Sequence, residues 1–182
     1  FYGDAYDQFG LFGRDSKTVM AHCVHSDENE IRRMKENGVF IAHCPESNTN
    51  LSSGVAPIRQ YLKEGMHVGL GSDVAAGSTE NMFAAMRYAV QASKLRWRLK
   101  DDKLTRLTMP EVFYMATKGG GEFFGKVGSF EAGYEMDAVV LDDKRLIHPQ
   151  EMEVEQRLER MIYLADEREV YAKYVAGEKV SD

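Results

Sequence analysis

No apolar run in these 182 residues approaches the roughly 20 needed to cross a bilayer, and no leader of charged, apolar and small residues opens the chain. A membrane partner is therefore not expected, and the cytoplasm is the default compartment. Cysteine is scarce: two residues, Cys23 and Cys44, cannot make a disulfide framework in a chain of this length. Cys-x-x-Cys and Pro-Cys-x-x-Cys spacings are both missing, which sets aside a four-ligand structural zinc site and the cytidine-type zinc deaminases. Basic charge is also short, with 23 Lys and Arg against 29 Asp and Glu and a net charge of −6. Without a basic run or an interleaved basic and aromatic stripe, an extended phosphate backbone finds little to hold, so nucleic acid is not an expected partner. An initiator Met is absent as well. The opening Phe1-Tyr2-Gly3-Asp4 has the polar-aromatic texture of the middle of a protein, so a fragment is expected, with tag removal or a disordered start as competing explanations.

What the chain does have is enough apolar residue, 43% with 29% charged, to bury a core of one domain or slightly more. Three short apolar runs each end on a group able to do chemistry. Thr18-Val19-Met20-Ala21 leads to His22, Val39-Phe40-Ile41-Ala42 leads to His43, and Met66-His67-Val68-Gly69-Leu70-Gly71-Ser72 leads to Asp73. Each run is followed by helical punctuation. Ser26 is placed to cap a helix with Ile31 and Met34 on one face that stops at Asn37-Gly38. Residues 44–50 read as loop, then Pro57 opens a helix carrying Ile58, Tyr61 and Leu62 that closes at Gly65. Beyond the turn Ala75-Ala76-Gly77, Ser78 or Thr79 is expected to cap a longer helix with Met82, Phe83, Met86, Ala89 and Val90 at helical spacing.

Strands that are almost continuously apolar and alternate with helices indicate a parallel sheet covered on both faces, in an open doubly wound sheet or part of a barrel. In either case the loops after the strand ends form the open face where ligands bind. Thr108-Met109-Pro110-Glu111 has the capping-box pattern and introduces a further helix with Val112, Phe113, Met115 and Ala116, followed by the cluster Gly119-Gly120-Gly121. From Val127 the texture changes to short strands and turns around Gly128–Gly133 and Met136–Leu141. An amphipathic helix near Glu153–Leu164 and a strand Val170–Val175 that turns at Ala176-Gly177 complete the pattern. A domain boundary is expected near residue 126, dividing the chain into 1–126 and 127–182.

Several strings occur in order along the chain: Thr18–His22, Ala42-His43-Cys44-Pro45-Glu46-Ser47-Asn48, Leu51-Ser52-Ser53-Gly54, and Gly69-Leu70-Gly71-Ser72-Asp73-Val74-Ala75-Ala76-Gly77. Together with Ala116–Gly120 and the Gly128–Gly133 stretch followed by Asp137, they resemble the guanine deaminases of the amidohydrolase superfamily over nearly the whole sequence. The resemblance implies a (β/α)8 barrel, here the later part (strands six to eight and their helices, residues 1–126), with residues 127–182 as the C-terminal share of a small β-sandwich. It implies one metal ion, usually zinc. It carries Asp73 over as a metal ligand and proton acceptor, and His22 as the histidine beside the substrate and the attacking hydroxide. A metal lowers the pKa of bound water to roughly 7, which suits these roles. Attack at the amino-bearing C2 of guanine, then loss of ammonia, would give xanthine. The superfamily's first-strand His-x-His and fifth-strand His-x-x-Glu have no counterpart here, where the closest histidine pair is His22 and His25. The remaining ligands are thus expected from an N-terminal half outside this chain.

Each of these residues also has a competing role. Asp73 could cap a helix, but the strand before it and the matching string around it favour a ligand. His22, taken alone, divides evenly between a satisfied strand-end histidine and a functional one. His43 is expected to support the mouth by hydrogen bonding, His25, His67 and His148 to be structural or on the surface, and both cysteines to be buried thiols. Cys23 stands where the superfamily commonly has glycine. Gly69-Leu70-Gly71 lacks the third small residue of a dinucleotide fingerprint, with Val74 in its place. The main alternative is a related amidohydrolase acting on an adenosine-type or triazine amino-heterocycle. The isolated chain is expected to be inactive and to bind zinc poorly, since one His and one Asp fall short of three protein ligands. Exposed strand edges and apolar helix faces would drive it to aggregate, or to pair with its missing half or with another copy as a homo-oligomer.

Overall fold

In the computed structural model, which describes residues 2–181, the three apolar runs form a parallel sheet. Phe1 and Asp182, the outermost residues of the two expected domains, lie outside the described residues. A short helix α1 (Asp4–Asp7) precedes strand β1 (Val19–Ala21), which pairs with β2 (Phe40–His43), which pairs with β3 (Val68–Leu70). Parallel pairing requires crossovers. These are supplied by α2 (Glu28–Glu36) between β1 and β2, and by α3 (Pro45–Asn50) and α4 (Ile58–Lys63) between β2 and β3. The register continues past the strand ends: the His22 amide donates to Ala42 O and the Gly71 amide donates to His43 O, both at 2.9 Å. All three C-terminal strand ends therefore meet along one edge, with their loops side by side.

The helices follow the apolar periodicity, but their caps shift. Helix α2 buries Ile31 and Met34 as expected, yet Asp27, not Ser26, caps it by accepting from the Glu30 amide at 2.8 Å. Asp27 stands directly before the first helical residue, and its carboxylate also suits the positive helix end. Likewise α5 (Met82–Leu99) is capped by Asn81, which accepts from the Phe83 and Ala84 amides, and not by Ser78 or Thr79. Thr79 accepts from the Asn81 amide instead. Half of the Thr108–Glu111 box forms at α6 (Met109–Ala116): Glu111 accepts from the Thr108 amide at 2.8 Å, while the threonine hydroxyl donates to the same carboxylate. Residues 45–50, expected as loop, are the helix α3, with Pro45 setting the backbone of its first turn. The glycine cluster forms the single turn α7 (Lys118–Gly121) packed on β3, where a Cβ at Gly119 would lie 2.7 Å from the Val68 carbonyl oxygen.

The core lies between sheet and helices, with Phe12, Met34, Ile41, Tyr61, Leu107 and Met115 almost fully enclosed. A second sheet, antiparallel in the order β4 (Ala138–Leu141), β5 (Val170–Val175) and β6 (Glu178–Ser181), occupies the C-terminal region. The chain turns at Ala176-Gly177 as expected, and β6 was not anticipated. Gly128–Gly133 forms turns and no strand, because Ser129 and Lys118 bond locally to Glu131 in place of a ladder. Helix α8 (Val154–Leu164) ties this region to the core through Ile162. The Arg87 guanidinium of α5 reinforces that tie by donating to the Ile162 carbonyl oxygen at 2.8 Å. Among the described residues no helix is long and apolar enough to cross a membrane.

Candidate active site

The strand-end loops bring His22 and Asp73 together: His22 Nε2 lies 3.7 Å from Asp73 Oδ2, with 41% and 37% of the two side chains exposed. That gap is too long for a hydrogen bond and short enough for one atom to bridge both groups. Both residues, and Cys23, adopt left-handed backbone at φ 69°, 48° and 44°. Non-glycine residues rarely take this conformation, and it persists only where surrounding structure enforces it. At Cys23 it explains why glycine suits the position. The loop after Asp73 closes on itself as the Gly77 amide donates to Asp73 O at 2.6 Å. Only glycine fits there, since a Cβ would stand 2.0 Å from Ser72 O.

What fixes the pair is the polar helix α3. Glu46, Ser47 and Asn48 are all buried, so each needs a partner, and each finds one in a strand-end loop. The Asn48 Oδ1 accepts from His22 Nδ1 at 2.9 Å, which leaves the lone pair of the neutral imidazole on Nε2. The Ser47 hydroxyl donates to Asp73 Oδ2 at 2.5 Å. Ser78 donates to Glu46, and Asn50 Nδ2 donates to Ala76 O at 2.8 Å, which pins the turn beyond Asp73. One helix thus orients the histidine after β1 and the aspartate after β3. The loop reading of residues 44–50 missed Ser47 and Asn48. Their available signal was a run of polar residues directly after a buried strand.

The other expected residues separate clearly. His43 is fully buried, and burial, helped by the nearby His22, pushes its pKa down to about 3. Its Nδ1 has no hydrogen-bond partner, so support of the mouth by the ring is not seen at that atom; the residue acts through its carbonyl, which holds Gly71. His25 is exposed, His67 pairs with Glu122 at 2.9 Å and stacks on Phe40, and His148 bonds to Gln150. None of these three joins the pair. Cys23 is half-buried, and burial, then the charge of Glu30, pushes its thiol up to about 12. Cys44 is buried as expected, but beside the pair: its Sγ, a ring nitrogen of His22 and a carboxylate oxygen of Asp73 lie within 4.8 Å of one another. Burial and the Asp73 charge raise the Cys44 thiol to about 11. Imidazole, carboxylate and sulfur donors at this separation suit a zinc-class ion.

The chain as a whole is similar to several known proteins. The guanine deaminase of Mus musculus is 36% identical over 190 residues, covering 98% of this chain and 41% of that protein. Among solved structures, a guanine deaminase from C. acetobutylicum with bound guanine in the active site superposes with a TM-score of 0.94 at 51% identity. That match covers 100% of this chain and 43% of the other. An adenosine deaminase from Xanthomonas campestris with bound zinc gives 0.79 at 28% identity, over 97% and 39% of the two chains. The chain spans about two-fifths of the length of the relatives it matches. The family model described as "Amidohydrolase family" matches residues 2–180, and this chain belongs to that family.

Proposed function

We propose that this chain is the C-terminal part of a metal-dependent aminohydrolase that converts guanine and water to xanthine and ammonia. In this reading β1, β2 and β3 are the sixth, seventh and eighth strands of a (β/α)8 barrel formed by residues 1–126. Residues 127–182 give the C-terminal share of a β-sandwich. Among the described residues the two outer strands, β1 and β3, each pair on one side only, as strands do when neighbours come from elsewhere. The helix α8 between β4 and β5 packs back on the barrel portion and joins the two parts.

The observation that carries the reading is the pairing of His22 and Asp73 at adjacent strand ends, each held by a buried side chain of α3. Asp73 would hold the zinc, with its other family ligands supplied by a segment outside this chain. Zinc there would bring the pKa of a water to about 7. The lone pair on His22 Nε2 and the carboxylate of Asp73 are both placed to accept the proton that water gives up, and later to deliver it to the departing amine. Asn48 keeps Nε2 as the accepting atom, and Ser47 keeps the carboxylate turned toward it. The reaction at the purine C2 forms one C–O bond and breaks one C–N bond, with the water proton leaving on ammonia.

The test is xanthine formation from guanine by the complete polypeptide that contains this chain, with adenosine and amino-triazines as competing substrates. Guanine is expected to be preferred by orders of magnitude in kcat/KM. Absence of xanthine, or faster turnover of either competitor, would overturn the assignment.

A further inference from the structure

We propose that Glu46 and Ser78 form a clasp that positions the carboxylate of Asp73: the bond from the Ser78 hydroxyl to Glu46 Oε1 fixes the far side of the turn on which Asp73 stands. In turnover the clasp acts through Asp73, so its consequence for the chemistry rests on the deaminase reading. Asp73 needs support from outside its own strand. β3 ends at Leu70, and beyond it Asp73 takes left-handed backbone at φ 48°, a conformation that a non-glycine residue keeps only where surrounding structure imposes it.

Helix α3 grips this turn at three points. Ser47 holds the Asp73 carboxylate, Asn50 holds the Ala76 carbonyl oxygen at 2.8 Å, and Glu46 holds Ser78. Glu46 and Asn50 stand one helical turn apart on the same face of α3, so their two bonds bracket Gly77, whose amide closes the turn on Asp73 O at 2.6 Å. The two holds are not equal. Asn50 is exposed, whereas Glu46 is only 7% exposed, and a buried carboxyl group that loses its donor suffers a desolvation penalty that solvent does not relieve. Glu46 is therefore the firmer anchor, and it fixes a serine that is itself exposed. Freed at Ser78, the turn can relax Asp73 out of its left-handed backbone and swing the carboxylate away from His22 Nε2, now 3.7 Å off. What is lost is alignment and not binding of the base, so the loss falls on kcat.

The test compares Ser78→Ala and Glu46→Ala in the complete polypeptide with Ser78→Thr and Glu46→Gln, which keep the hydroxyl and the accepting oxygen. Both alanine variants should lower kcat about tenfold, the lower end of what an orienting partner contributes, with KM within about twofold. The substrate is guanine, or whichever competing amino-heterocycle is turned over. The double alanine variant should lose no more than either single one, since both remove the same bond. Threonine and glutamine should restore most of kcat. Without any substrate, amide exchange over residues 73–80 should quicken roughly tenfold in the alanine variants and stay unchanged in Ser78→Thr and Glu46→Gln. Ser78→Ala, at an exposed position, reads the bond even where Glu46→Ala fails to fold. Unchanged kcat, a loss borne by KM, losses that multiply in the double variant, or unchanged exchange would overturn the clasp. Faster exchange in a polypeptide that deaminates none of these substrates would uphold the clasp and sink the deaminase assignment, so the two failures are distinguishable.

Discussion

Two polar regions of this molecule look alike in composition and differ in how their groups are held. Between β5 and the segment after β4, a cleft of about 430 Å³ is lined by Asp142, Lys144, Arg145, Arg168, Tyr171 and Lys179. Its ion pairs are mostly local and exposed: Lys144 with Asp142 at 3.1 Å, and Arg168 with Asp166, whose carboxyl it holds well below the usual range. At the strand ends of the parallel sheet, Ser47 and Asn48 on α3 are buried and bond to partners 26 residues away in sequence, and buried Glu46 bonds to Ser78, 32 residues away. Exposed local pairs hold two side chains loosely and contribute little. Buried groups with distant partners specify one arrangement, because leaving any of them unpaired is costly. The concave region is therefore a charged surface, and the open strand-end corner is where the fold spends its constraint.

Substitutions can break that contrast, beginning where the effect is largest. In the complete polypeptide, His22→Gln removes the accepting Nε2 and should lower guanine turnover by about 10²–10⁴-fold, the usual contribution of a positioned acid/base group. Steady-state xanthine formation checks this. Asn48→Ala, which releases the imidazole tautomer, should cost about 10–100-fold, as loss of an orienting partner does at metal sites. The loss should fall on kcat more than on KM, and Asn48→Asp should restore most of it with the acidic limb of the pH profile moved upward, since a carboxylate there favours the imidazolium.

A smaller effect concerns stability. Glu111 is raised by burial, but its bonds to Arg59 and Thr108 outweigh that and hold it below its ordinary value of 4.5. A carboxyl depressed in the folded state stabilises above its unfolded pKa and loses that contribution as pH falls through the folded value. The thermal stability of the unmodified chain should therefore fall on acidification from about pH 4.5 downward, and Glu111→Gln should flatten that limb. Smallest of all, Lys144→Ala and Arg168→Ala in the cleft should leave both turnover and melting temperature unchanged. A large loss of turnover from either would erase the distinction between the two regions.

The sequence made His22 and Asp73 legible because parallel strands place their C-terminal ends on one face, and the apolar runs marked those ends. It hid α3 because Pro45-Glu46-Ser47-Asn48-Thr49-Asn50 has no apolar periodicity. That helix is secured by buried polar bonds whose partners only the folded chain supplies. Cys44 was legible as a buried thiol, but its approach to Asp73 depends on the β2–β3 pairing, which no local spacing encodes. Caps moved by one to three residues where several cap-forming side chains stood in a row, as at Ser26-Asp27 and Ser78–Asn81. Strand β6 escaped notice because Glu178–Ser181 carries a single apolar residue, Val180. The Gly128–Gly133 turns show the converse, a run that reads as strand and is captured by its own side chains.

The central claim is that Asp73 both holds the metal and serves the chemistry. The most direct measurement is zinc content and xanthine formation in one preparation of the complete polypeptide carrying Asp73→Asn. The expected result is a folded protein with reduced zinc occupancy and guanine turnover lowered at least 10²-fold, even when zinc is added back to saturation. Unchanged zinc content together with unchanged turnover would contradict the account.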